Sequence, residues 1–353
     1  MIKNYLVIGG IGLICRAAIL LGRNKLPRER WQFFASIPVS KDTEGSSWQA
    51  VNITWYGLIL SSATIFAVVI YLIMLGAVGV PVAAALSLMA LLLLICVPAA
   101  SLVARLVERK PATLTVGGAA FVGGIVAPFL ILLLNRFAAS LFGAELPMGQ
   151  TLAACAVAFL FGEGLGRLAC LSYGCCYGKP VAEYRGILRK IFDWSAMVYE
   201  GENKKIAYAA GLDGHKIVPI QLITMLALLF AGVVTLVLYA EGKPIPAYLV
   251  ATIFAGFWRI FSEFFRNDYR GEGKVSAYQV ISGFSIVYAL GVSLFLRGEN
   301  AQLSVDLLRG TLSLWSPGIL LVLFATWLAL VAFTGISTTT YSRVSFHLHR
   351  DRI

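Results

Sequence analysis

The chain has 353 residues, of which 59% are hydrophobic and only 13% charged, against about 45–50% and about 25% in an ordinary soluble domain. That balance excludes a typical water-soluble protein and predicts an all-α fold, a polytopic transmembrane helical bundle. The net charge of +11 is scattered among apolar runs, so it reads as contact with anionic headgroups and the membrane rather than as a nucleic-acid footprint.

With about 20 apolar residues per span, nine helices are expected, near residues 4–22, 55–78, 82–104, 116–136, 151–172, 217–240, 246–266, 276–296 and 315–335. Lys3 ahead of the first apolar stretch imitates a signal peptide. Arg16 interrupts that stretch and no small-x-small cleavage site follows, so it is read as an anchor helix. Residues 23–54 are polar and predict a solvent-side loop with room for a short interfacial helix. Trp55-Tyr56-Gly57 opens the second helix with an aromatic pair suited to the membrane interface. Pro81 and Pro98 bracket the third. The run from Gly117 to Gly124, with Gly117, Gly118, Gly123 and Gly124, serves either close helix packing or space for a bulky ligand.

The fifth span is the most informative. Glu163 and Arg167 lie four apart, acid first, so a helix sets them on one face. Ionisable groups in a bilayer cost on the order of a few kcal/mol, so this pair is either a structural bridge between packed helices or part of a binding site. Cys15, Cys96 and Cys155 sit in apolar runs and read as small hydrophobes. Cys170, Cys175 and Cys176 follow Arg167, but C-x4-C-C fits no zinc pattern and the histidines, His215, His347 and His349, are far off in sequence. No metal and no cofactor are expected.

Within the polar stretch 181–216, Tyr184, Ile187, Leu188, Ile191 and Phe192 recur at helical spacing beside Arg185, Arg189 and Lys190. The pattern fits a helix in the headgroup plane or an ordinary solvent-side cap. Gln221 opens the sixth helix just after Pro219, as a cap or a solvated side chain. The seventh helix carries a second pair, Arg259 and Glu263, with Arg266 near the boundary. An arginine stays charged when buried and offers a planar fork matched to phosphate. Two of them on different helices could grip a phosphodiester headgroup while its acyl chains stay among the spans. Paired charges also suit a transporter, but no internal repeat is visible.

Trp55-Tyr56-Gly57-Leu58, Gly117-Gly118 with Phe121 and Gly123-Gly124, Gly166-Arg167, Tyr177-Gly178, Pro219 with Gln221, Arg259 with Glu263 and Arg266, and Gln279 together resemble the bacterial prolipoprotein diacylglyceryl transferases in order and approximate spacing. The resemblance implies a transferase-like core at 55–296 holding seven of the nine spans, an added helix and polar loop at 1–54, and an added helix with a basic tail at 297–353. It further implies a multi-pass protein of the bacterial inner membrane that moves the diacylglyceryl unit of phosphatidylglycerol to a lipoprotein cysteine. Arg167 and Arg259 match the family's essential arginines, Tyr56 its functional tyrosine, and Glu263 would orient Arg259. Gly123, Gly124, Gly178, Lys179, Gln221, Arg266 and Gln279 fall at binding positions.

The chain also departs from the family. The family histidine is Val122 here, which cannot accept a proton; its asparagine is Cys170, its acid Cys175, and its next arginine Lys179. Two readings follow. One is a divergent transferase, in whose sharper form Cys175 takes the lipid covalently; the other is a non-catalytic lipid-binding protein that retains the pocket. Of the 29 Lys and Arg, 21 fall on the face that carries Cys175 and 5 on the other, which predicts a cytoplasmic position for that face. The resemblance implies the periplasmic one.

Overall fold

The structure is a computed structural model and describes residues 2–41, 48–108, 116–137, 139–268, 275–296 and 304–344. The chain begins with α1 (Ile2–Lys25), a hairpin of β1 (Phe33–Lys41) and β2 (Trp48–Thr54), α2 (Trp55–Ala77), α3 (Val82–Glu108), α4 (Val116–Phe137) and the short α5 (Ala139–Phe142). The middle comprises α6 (Met148–Tyr173), α7 (Gly186–Ser195), β3 (Met197–Val198), α8 (Lys205–Ala210), β4 (Lys216–Ile217) and α9 (Ile220–Ala240). It closes with α10 (Pro244–Ser262) and a 3-10 turn (Glu263–Phe265), α11 (Ala277–Leu296), α12 (Leu307–Ser313), α13 (Pro317–Gly335) and β5 (Ile336–Val344). Among the described residues nine helices are long and apolar enough to cross a membrane, α1, α2, α3, α4, α6, α9, α10, α11 and α13. The chain is a polytopic helical bundle, with the nine expected spans displaced by a few residues at their ends.

The helix that carries Glu163 and Arg167 is the hub. In α6, 61% of the apolar window is buried, against 6% in α13, and α6 packs against α2, α9 and α10. Small residues make this possible: Ala153, Ala154, Ala158 and Gly164 are buried along it, and a Cβ on Gly164 would already press on Leu229. Lipid is as apolar as these side chains, so close backbone approach rather than expulsion from water drives the association.

The last helix docks through glycines. A Cβ built on Gly57 would lie 2.0 Å from the Gly335 Cα, and Thr54 Oγ1 donates to the Gly335 carbonyl at 3.1 Å. Gly57→Val is therefore expected to lower the stability of the detergent-solubilised protein by about 1–3 kcal/mol or more by forcing α13 off α2. A melting temperature equal to the parent's would show that this contact does not hold α13.

The bundle has two ends. At one, Asn4 Nδ2 donates to the Val305 carbonyl at 2.9 Å and Asp306 N to the Ala77 carbonyl at 3.1 Å. The other end gathers the polar segments. There the expectation of a loop with an interfacial helix at 23–54 is corrected: after a 3-10 turn at Glu29–Trp31, the segment forms the antiparallel pair β1 and β2, with β5 added in the order β1-β2-β5. Ile37, Val39, Val51 and Ile53 supply the β-branched alternation of a strand, and Pro38 sits at a register shift, where its missing N–H costs least. On the same end α7 exposes Ile187, Leu188, Ile191 and Trp194 while Phe192 turns in against Tyr184 and Phe265. Such an exposed apolar stripe suits a helix lying in the headgroup plane.

Candidate active site

The segments that follow α6 and α10 are zipped together. Lys179 N donates to the Phe265 carbonyl at 3.0 Å, Asn267 N to the Tyr177 carbonyl at 3.0 Å, and Gly178 forms a bridge with Arg266. Gly178 permits the approach, because a Cβ there would sit 2.4 Å from the Val218 carbonyl oxygen. Arg167 precedes the end of α6 by six residues and Arg259 precedes Phe265 by six. The backbone of both arginines therefore lies about 9–10 Å below the same end, on helices that touch.

Each arginine is paired as the spacing predicted. Arg167 contacts Glu163, with side chains 12% and 15% exposed, and Arg259 Nη1 donates to Glu263 Oε2 at 2.9 Å. The Arg259 guanidinium also lies 5.0 Å from the centre of the Tyr278 ring, a cation–π contact. The pairs leave capacity over: Arg167 Nε and Glu263 Oε1 are buried without a hydrogen-bond partner among the described residues. A buried donor in such a place requires an acceptor. Arg266 makes a bidentate pair with Asp268, at 2.9 and 3.1 Å.

The cysteine segment closes over the end of α6. Gly174 (φ +72°) ends the helix in the left-handed conformation, and the Cys170 carbonyl accepts from Gly174 N at 2.8 Å and Cys175 N at 3.2 Å. Cys176 is also left-handed (φ +58°), which costs a residue with a side chain about 1–3 kcal/mol. These two turns fold Cys175 and Cys176 back onto Cys170, so that the three sulfurs lie within 4.8 Å of one another. Contacts with the Cys170 and Cys176 thiols, together with burial, push the Cys175 thiol well above its usual range, which works against a free thiolate nucleophile there.

Two polar side chains brace this turn. Gln221, buried at the start of α9, donates from Nε2 to the Cys175 carbonyl at 2.9 Å. Lys204 is fully enclosed, and its Nζ donates to the Ser172 carbonyl at 2.7 Å, the Leu26 carbonyl at 3.2 Å and Gln32 Oε1 at 3.5 Å. Burial pulls its ammonium down to about 8. Ser172 Oγ in turn donates to the Trp31 carbonyl, so α6, the residues after α1 and the 173–216 segment are tied at one point.

Tyr56 rests edge-on against Tyr173, 5.6 Å between ring centres, within electrostatic range of the three thiols and of Arg167. Arg266 lies in similar range of Cys176 and Glu263. The fold thus brings Tyr56, Arg167, Cys175, Gln221, Arg266, Glu263 and Arg259 to one end of the bundle. Other expected binding positions carry structure. Gln279 forms a reciprocal cap with Ser276, accepting from Ser276 N at 2.9 Å, and its Nε2 reaches the Ile260 carbonyl at 3.3 Å. Gly123 packs toward Cys96, Gly124 faces open space, and Lys179 contributes its backbone to the zipped segments. Sequence reasoning missed Lys204, since a lysine in a Gly-Glu-Asn-Lys-Lys loop is indistinguishable from a solvated one. It also missed the Tyr173–Tyr208 hydroxyl contact, at 2.8 Å.

A sequence model of the family described as prolipoprotein diacylglyceryl transferase matches residues 46–295. No individual curated protein matches the chain.

Proposed function

Since the chain belongs to the prolipoprotein diacylglyceryl transferase family, we propose that its donor is an anionic glycerophospholipid, phosphatidylglycerol first among them, and its acceptor a lipoprotein thiol or another nucleophile. In this reaction a carbon–sulfur bond forms at the glycerol carbon of the diacylglyceryl unit, and the carbon–oxygen bond to phosphate breaks. The departing glycerol phosphate takes the electron pair, and the thiol proton passes to a base or solvent. The charge that develops is on phosphate, where pre-positioned cations stabilise it most.

The observation that supports this reading is the placement of two largely enclosed arginines, each six residues before the same end of touching helices and each paired with an acid, one with an unfilled donor. Arg167 and Arg259 grip the phosphate, Glu263 fixes Arg259, Tyr56 borders the reacting carbon, and Gln221, Lys179, Gly178 and Arg266 hold the walls. Gly124 leaves room for an acyl chain, Gly123 sets the packing of its helix, and Gln279 acts by fixing the start of α11 beside Arg259. Residues 55–296 form the reacting core, to which 1–54 and 297–353 are additions, in a bacterial inner membrane.

A second reading, lipid binding without turnover, is favoured by one observation: Val122 stands where the family carries a histidine and offers no base. Vesicles of phosphatidylglycerol with a cysteine-containing lipoprotein-signal peptide separate the two. The transferase reading expects glycerol phosphate and lipidated peptide in equal amounts. Lipid retained on the protein with neither product would remove the lipoprotein thiol as acceptor and favour the binding reading.

The side on which this happens is testable too. The Lys and Arg excess on the Cys175 end predicts that it faces the cytoplasm, and Asn203 is exposed there. A cysteine introduced as Asn203→Cys should resist a membrane-impermeant thiol reagent in intact cells and react after permeabilisation. Ready labelling in intact cells would place this end outside and favour an exported lipoprotein as acceptor.

A further inference from the structure

The thiol cluster at the end of α6 is not needed for the phosphate grip, yet two left-handed residues and two buried side-chain hydrogen bonds hold its segment in place. We propose that Cys170, Cys175 and Cys176 form a binding site for one thiophilic divalent metal ion of the zinc class, with three protein thiolates and a fourth position left for an exogenous donor. Three sulfurs within 4.8 Å of one another stand close to the separation of about 3.8 Å that tetrahedral zinc–thiolate bonds of about 2.3 Å impose. Sequence spacing argued against zinc because C-x4-C-C is not a finger pattern. The left-handed residues Gly174 and Cys176 reverse the chain and return two thiols to the end of α6, so the three sulfurs meet despite that spacing.

The surroundings suit a charged thiolate complex. Binding moves one proton from each thiol to solvent, so a divalent ion with three thiolates carries one net negative charge. Arg167 and Arg266 both lie within electrostatic range of the sulfurs. The scaffold is held from behind by Gln221 on the Cys175 carbonyl and by Lys204 on the Ser172 carbonyl, so the ligands are oriented by fixed partners. Cys176 is only partly buried, which gives the ion a way in. A soft donor set of this kind favours zinc or its spectroscopic substitute, cobalt(II), over magnesium or calcium.

Cobalt(II) titrated into the reduced full-length protein, under argon in detergent, tests the proposal without any activity assay. The expected result is one bound ion per chain, with sulfur-to-cobalt charge-transfer absorption, the visible bands of a four-coordinate ion, and release of three protons. Cys170→Ser and Cys176→Ser should each weaken binding by more than about 100-fold, beyond the loss seen for outer-shell partners. Replacing Cys15, Cys96 and Cys155 by serine together should change nothing. No charge-transfer band in the parent would overturn the proposal. So would a band that survives Cys176→Ser, or a mass two hydrogens short that maps to a disulfide within the cluster in the reduced preparation.

Discussion

Arg167→Lys and Arg259→Lys are each expected to lower diacylglyceryl transfer by about 100-fold or more while leaving expression and melting temperature near the parent's. Lysine keeps the charge and can still meet the acid one turn away, Glu163 in one case and Glu263 in the other. What it loses is the planar fork that lets one side chain hold a carboxylate and a phosphate oxygen together. Arg167 is the more sensitive position, because its Nε is already buried without a partner among the described residues. The loss should appear in the chemical step more than in lipid binding, since the phosphate gains charge only as the carbon–oxygen bond breaks. Initial rates of glycerol phosphate release from phosphatidylglycerol vesicles provide the check. Parent-like rates in both variants at equal protein would remove the phosphate grip from the account.

Arg259→Ala should behave differently, costing about 3 kcal/mol of stability as well as activity, the lower end of what breaking a buried pair costs. The Arg259 and Glu263 side chains are 19% and 10% exposed, and Glu263 Oε1 already lacks a partner. Deleting the arginine strands a carboxylate whose other nearby cation, Arg266, is already held in a bidentate pair by Asp268. The double change Arg259→Met with Glu263→Met removes both charges and should regain most of the lost stability. It should recover no transfer. Thermal unfolding of the three proteins in one detergent decides this, and equal melting temperatures for parent and Arg259→Ala would show that the pair is solvated.

Much of this was legible in the residues themselves. The nine spans follow from hydropathy because a bilayer demands long apolar helices, and the i,i+4 spacing of Glu163 with Arg167 and of Arg259 with Glu263 gives both pairs from the sequence alone. The hairpin at 33–54 was not legible. Its alternation is short and broken by Pro38 and a register shift, so polar composition outweighed the strand pattern. Lys204 was hidden for a different reason: its three acceptors come from Leu26, Gln32 and Ser172, which only the tertiary fold brings to one lysine. The thiol cluster was hidden likewise, since two left-handed residues after α6, rather than spacing, bring its sulfurs together.

Lipid mass spectrometry of the gently purified protein shows directly whether Arg167 and Arg259 hold an anionic glycerophospholipid. Phosphatidylglycerol is expected well above its share of the surrounding membrane in the parent, and to return toward the membrane average when both arginines are replaced by methionine together with Glu163 and Glu263. Bound lipid that mirrors the bulk membrane in parent and variant alike would contradict it.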